Sequence, residues 1–278
     1  MLKHTFCHIP GIGPKKEKRL WASGLQSWEA CLQSDLIRLP NDKARSLLGY
    51  VEESTARLGD DNPHYFANLL SQNLLWRLFP EFRHTVAYLD IETTGLSSYD
   101  NSITTIALYD GETISYYVQG RNLEEFEEDI EKHKVIVTYN GRCFDVPFIQ
   151  WYFRTTLRHV HIDLRYVLKS LGYSGGLKGC ERQMGIGRGE LDGVDGFFAV
   201  LLWDEYRRAG NEKALETLLA YNIQDVVNLE TLMVMAYNLK LRETPFCETQ
   251  QVRLPSLPEI PVRADEETIQ GIRSRVYR

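Results

Sequence analysis

The sequence predicts an α/β fold, a mixed β-sheet flanked by helices, with a smaller all-α region ahead of it and an extended tail behind. Three observations predict it. Residues 1–82 carry helical patterning only. Three β-branched and aromatic runs then follow closely: TVAYLDI (85–91), ITTIALYD (103–110) and TISYYVQ (113–119). From residue 123 onward helical and strand patterns alternate, the arrangement that lays helices against a sheet.

Each element has a local reason. In HIPGIGPKKEKRLWASGLQSWEACL (8–32), PGIG makes a tight turn, a helix runs from about Pro14 to Ser23, and Gly24 can end it. Residues Pro63 to Phe82 are apolar at helical spacing, with Asn62 placed to cap their first turn. Asp110-Gly111 between two strand runs marks a hairpin, so the three runs form an antiparallel meander. LEEFEEDIEKH (123–133) reads as an acidic amphipathic helix and VIVTY (135–139) as a buried strand. Helical patterns follow at about 144–155, 163–171, 195–208 and 212–238. Pro245, Pro255, Pro258 and Pro261 interrupt regular structure after about residue 241. For residues 263–278 the sequence does not separate a short partner-binding helix from disorder. The expected division is therefore 1–82, 83–240 and 241–278.

A chain of 278 residues has room for one large domain or two smaller ones. At 43% hydrophobic and 25% charged it can bury a substantial core and fits no low-complexity or collagen-like class. No apolar run nears the ~18 residues of a membrane span, and the first residues lack the apolar stretch of a signal peptide. The expected setting is the cytoplasm, with no membrane partner. Five cysteines, odd in number and never in a CxxC pair, match neither a disulfide framework nor a zinc site and read as reduced thiols. A net charge of -6 argues against coating nucleic acid by bulk electrostatics. It does not exclude an enzyme on nucleic acid, because carboxylates that hold divalent cations contribute negative charge themselves.

Three segments carry candidate chemistry. In YLDIETTGL, Asp90 and Glu92 lie two apart on a strand, so both leave the same face about 7 Å apart, while Leu89 and Ile91 point into the core. Two carboxylates on one face repel unless a cation or proton intervenes; a solvent-facing pair at a strand end is the ordinary alternative. In YNGRCFDVPF (139–148), Asp145 falls in the first turn of a helix that follows a buried strand. Taken alone, an aspartate there is better explained by helix capping. In LLAYNIQDVVNLETL (218–232), Tyr221 and Asp225 are four apart and share a helix face. Leu218, Leu219, Ile223, Val226, Val227 and Leu229 supply the core stripe without them, so they face either a buried site or solvent.

Taken together and in this order, the three segments resemble the DnaQ-like superfamily of 3′-to-5′ exonucleases, with motifs DxE, NxxxFD and YxxxD. Here these stand as Asp90-Ile91-Glu92, Asn140 to Asp145, and Tyr221 to Asp225. The tyrosine matches the DEDDy branch, and the layout, LKGCERQMGI (177–186) included, resembles the YprB-like ribonuclease-H-like group over about 84–240. The meander between the first two motifs is what a ribonuclease-H-like sheet requires before its first helical crossover. The resemblance implies a two-metal nuclease on a single-stranded DNA or RNA end. Asp90, Glu92 and Asp225 would hold one ion, and Asp90 with Asp145, through water, a second. Tyr221 would orient the attacking water and Asn140 would contact the strand. Oxygen-only ligands suit Mg²⁺ or Mn²⁺. The alternative is a nucleic-acid-binding or scaffold protein with an inactive fold of this type, against which the intact set of four carboxylates argues.

The 8–32 segment resembles a helix-hairpin-helix element. Backbone N–H groups from Gly11 to Gly13, followed by Lys15, Lys16, Lys18 and Arg19, would suit a nucleic-acid backbone; a plain turn with a solvated lysine face is the competing reading. His159 and His161 have strand spacing but read as structural or surface groups, and Asp163 as either a helix cap or a carboxylate at the edge of the site. Oligomeric state is not legible.

Overall fold

In a computed structural model of the chain, residues 1–34, 42–191 and 195–276 are described. The chain divides into two compact units, one of residues 1–84 with 237–253, the other of residues 85–236 with 254–278.

The first unit is helical: α1 (Pro14–Ala22), α2 (Trp28–Leu32), α3 (Asp42–Gly59), α4 (Pro63–Leu69) and α5 (Phe79–Phe82). Asn62 caps α4 by accepting from Tyr65 N–H at 3.2 Å. The single helix expected over 63–82 is instead broken. Leu70 turns to extended backbone, Ser71 bonds Asn73 side chain to side chain, a 3₁₀ segment covers Gln72–Leu78, and Pro80 opens α5. Local side-chain bonding competes with helix propagation at just such residues. Gly24 lies in the left-handed region at φ +94° after α1, as expected of a helix stop. A buried ion pair, Arg77 to Glu17 at 2.9 Å, centres the unit, and Glu17 also accepts from the N–H groups of Phe6 and Cys7.

The second unit is a five-stranded mixed sheet with helices around it. Strands β1 (Val86–Thr93), β2 (Ile103–Tyr109) and β3 (Ile114–Val118) form the antiparallel meander. A short 3₁₀ turn and α6 (Phe126–Ile130) lead to β4 (Val135–Thr138), parallel to β1. Next come α7 (Asp145–Phe153), β5 (Val160–Asp163), α8 (Leu164–Ser170), α9 (Gly176–Gln183), α10 (Gly196–Ala209) and α11 (Glu212–Leu241), whose residues from 237 on belong to the first unit. The strand order is β3-β2-β1-β4-β5. Leu89 and Ile91 of β1, Ile106 and Leu108 of β2, Ile136 of β4, Phe126 of α6 and Ile149 of α7 share one buried cluster. Burial of such side chains contributes roughly 1.5–3 kcal/mol each.

The expected α/β architecture is thus present, with two local differences. The 123–133 helix is confined to 126–130 after its 3₁₀ turn. Within the tail expected to be extended, residues 251–264 lack regular structure, but Glu266–Val276 form a helix, α12. Asp265 accepts from both the N–H and the hydroxyl of Thr268, and Ile269 and Ile272 are buried, so a cap and an apolar face fix what composition left open. No helix among the described residues is long and apolar enough to cross a membrane.

Candidate metal centre

Strand β1 carries Asp90 and Glu92, opposite Ala107 and Thr105 of β2. Their even-numbered face is left polar because Leu89 and Ile91 enter the core on the other. Just after Glu92 the pairing shifts, so that Thr93 faces Ile103 and Thr104 is the extra residue. Bulges of this kind re-aim side chains at the edge of a sheet.

Asp145 opens α7, which follows β4 through the turn Tyr139-Asn140-Gly141. Asn140 sits in the left-handed region at φ +68°, and Asp163 holds it there: the carboxylate accepts from the N–H groups of Asn140 (2.8 Å), Arg142 (3.1 Å) and Arg165 (3.0 Å). A Cβ at Gly141 would lie 2.3 Å from Thr138 Oγ1, so the turn needs glycine. Asp145 Oδ1 accepts from Ile91 N–H at 3.2 Å, which ties it to the backbone between Asp90 and Glu92.

Helix α11 brings the third group. Asp225 and Tyr221 are each 4% exposed. A carboxylate oxygen from each of Asp90, Glu92 and Asp225 lies within 4.8 Å of the others. Asp145 stands beside this trio and is tied to it through Ile91. Asn222, fully buried, donates to Asp90 Oδ2 at 2.7 Å and accepts from Thr105 at 3.0 Å, fixing α11 against β1 and β2.

Two cations face the cluster. Arg188 Nη1 lies 2.6 Å from Asp225 Oδ1, and its other nitrogens donate to Glu181 at 2.5 and 2.9 Å. Asn228 donates to the same Glu181 at 2.8 Å. Lys178 Nζ lies 4.5 Å from the centre of the Tyr221 ring. Burial, then the charge of Asp225, holds the Asp90 and Glu92 carboxyls well above the usual carboxylate range. Burial likewise pushes Asp145 up to about 7 and Asp225 up to about 6, the latter against the pull of Arg188. Burial and the same carboxylates raise Tyr221, so its hydroxyl keeps its proton.

The charge balance is decisive for what the site can hold. Among the described residues, the carboxyls of Asp90, Glu92, Asp145, Glu181 and Asp225 outnumber the facing cations Lys178 and Arg188, so burial favours the protonated forms of Asp90, Glu92, Asp145 and Asp225 unless a further cation balances them. The donors are oxygens throughout. A hard divalent cation fits such a set.

The remaining sequence candidates lie elsewhere. Gly11, Gly13, Lys15 and Lys16 belong to the first unit, the carboxylates to the second. Gly11 has φ +80°, Lys16 donates to Gly11 O at 2.8 Å, and Ile12 N–H is occupied by Ile9 O. His161 bonds Thr138 at 2.9 Å and His159 bonds Ile130 O at 2.9 Å, both structural roles. Asn222, Lys178, Glu181 and Arg188 were not singled out by the sequence. Asn222 adjoins Tyr221 within the third motif and could have been; Arg188 lies in irregular chain after α9, without periodicity, and gave no signal.

The fold and its buried acidic cluster define a class. The chain belongs to the RNase_H superfamily, whose family model matches residues 87–237, just over half of its length. No curated protein matches the sequence. Among solved structures it is similar to the family B DNA polymerase from the hyperthermophilic archaeon Pyrobaculum calidifontis, at 16% identity and a TM-score of 0.44. That likeness covers 56% of this chain and 24% of the polymerase chain.

Proposed function

We propose that this protein is a metal-dependent nuclease that hydrolyses phosphodiester bonds of DNA or RNA, acting as a 3′-to-5′ exonuclease of the DnaQ-like DEDDy branch and YprB-like group. The observation that carries the reading is the meeting of Asp90, Glu92 and Asp225 within 4.8 Å, with Tyr221 one turn away on the same buried helix. Asp90, Glu92 and Asp225 would hold one divalent cation, and Asp90 with Asp145 a second. Bound there, such ions polarise phosphate oxygens and lower the pKa of a water.

The chain's own groups do the rest. Tyr221, held protonated by its surroundings, donates a hydrogen bond and orients water; it is no general base. Lys178 adds positive charge beside the Tyr221 ring, where a phosphate would enter. Asn222 fixes Asp90, and Arg188 fixes Asp225. Gly11, Gly13, Lys15 and Lys16 supply a sequence-independent contact to the nucleic-acid backbone, and Asn140 contacts the strand.

The ion pair of Arg188 with Asp225 favours a second reading, a nucleic-acid-binding protein in which the guanidinium replaces a catalytic cation. End-labelled single-stranded DNA and RNA, incubated with Mn²⁺, Mg²⁺ or EDTA beside an Asp90→Ala variant, separates the two. Metal-dependent shortening from the 3′ end, lost in the variant, supports the nuclease. Equal traces of product from both proteins would leave only the binding reading.

A further inference from the structure

A cavity of about 570 Å³ opens in the second unit between the end of β4, α8 and the start of α9. It lies within the ~300–1,000 Å³ range of sites that take a small organic ligand. Its walls combine positive charge with aromatic surface. Arg165 and Lys169 are its charged side chains, and no carboxylate is among its lining residues, in a protein whose net charge is -6. Tyr139 and Tyr173, both half-buried, supply ring surface, and the backbone of Gly175 and Gly176 completes the rim. A Cβ at Gly176 would meet nothing within 4 Å, so a ligand can approach the main chain there.

Two of the walls belong to elements that also position groups of the carboxylate site. Asn140, whose side chain accepts from Arg165, begins the turn that delivers Asp145 four residues after Gly141. Gly176 starts α9, and Lys178 on its first turn lies over the Tyr221 ring. The cavity therefore borders the same turn that leads to Asp145 and the same helix, α9, that carries Lys178.

We infer that this cavity is a strand-binding subsite, taking one nucleotide of a single-stranded nucleic acid upstream of the bond that is cut. The strand's phosphate lies between Arg165 and Lys169, and its base lies against Tyr173. The inference rests on the nuclease reading for its direction, but its test does not. Aromatic faces accept any base and cations accept any phosphate, so the subsite is indifferent to sequence.

The test is binding of fluorescent oligothymidylate and oligouridylate of about eight nucleotides to the full chain in EDTA, by anisotropy, across a series of salt concentrations. Lys169→Gln should weaken binding and reduce the slope of log affinity against log salt by about 0.7, the value for one phosphate contact on a single strand. Lys169→Arg should restore the slope. Tyr173→Leu should weaken binding about tenfold with the slope retained. The two oligonucleotides distinguish DNA from RNA as the strand. If Lys169→Gln and Tyr173→Leu both bind as the wild type does, the subsite is refuted. Because metal is chelated, this outcome is independent of the Asp90→Ala cleavage assay, which alone decides the nuclease reading.

Discussion

Arg188 and Asp225 form an ion pair at 2.6 Å with side chains only 5% and 6% exposed, so a guanidinium stands inside the carboxylate cluster itself. Arg188 also holds Glu181, and its loss would strand two buried charges. Arg188→Met should lower the unfolding free energy at pH 7 by about 3–5 kcal/mol, the range for breaking a buried pair from one side. Urea denaturation in EDTA measures this; a loss below about 1 kcal/mol would show that the pair is not a structural support.

The acidic cluster sets a pH dependence whose sign follows from its shifts. Asp145 and Asp225 have folded values of about 7 and 6, above their ordinary 3.8. The unfolded chain therefore releases these protons first, and the stability they confer is complete below about pH 4 and lost as pH rises through 6 and 7. In EDTA the midpoint of thermal unfolding should fall over that interval. Mg²⁺ or Mn²⁺ should offset the fall by binding the ionised form. Buried His8 and His161, both lowered to about 4, act oppositely and remove stability as pH falls from 6.5. The difference between metal and EDTA isolates the carboxylates, and identical curves would count against a metal at this site.

Asn222 joins Asp90 to Thr105, a bridge from α11 to both β1 and β2. Asn222→Ala leaves a buried hydroxyl and a carboxylate oxygen without their partner, at a cost of about 1–3 kcal/mol. Metal affinity should fall about 10- to 100-fold, as for other groups that orient a metal ligand. Calorimetric titration with Mn²⁺ reads the second effect apart from the first.

Tyr221→Phe removes only the hydroxyl. Nuclease turnover should drop about 100-fold, the scale of a misplaced reactant, while Mn²⁺ affinity stays within twofold of the wild type. Full activity in the variant would remove Tyr221 from the mechanism.

Gly141→Ala tests the turn. The new Cβ would press on the side chain of Thr138, 2.3 Å from its oxygen and 2.8 Å from its methyl carbon. Destabilisation of about 1–3 kcal/mol is expected, with weaker metal binding because Asp145 moves with the turn.

The sheet is legible in the sequence because its signals are local: the Asp110-Gly111 hairpin, the β-branched runs and the spacing of two between Asp90 and Glu92. The four-residue step from Tyr221 to Asp225 is local too. Asp145 was ambiguous alone and became a candidate only in company with the others. What the sequence conceals depends on partners distant in the chain. Arg188 matters because Glu181 and Asp225, from different helices, meet at its guanidinium. Helix α9 is masked by its glycines, yet a Cβ at Gly179 would lie 2.9 Å from Ser174 O, so close packing, not helix breaking, explains that residue. Helix α12 owes its place to Asp265, which caps it and also meets Lys213 of α11 at 3.1 Å.

The central claim is that Asp90, Glu92 and Asp225 share a divalent cation. Anomalous X-ray scattering from crystals soaked in Mn²⁺ tests it most directly. A strong peak among those three carboxylates, lost in Asp225→Asn, is the predicted result. Manganese bound only elsewhere, or Arg188 alone balancing the site at saturating Mn²⁺, would contradict it.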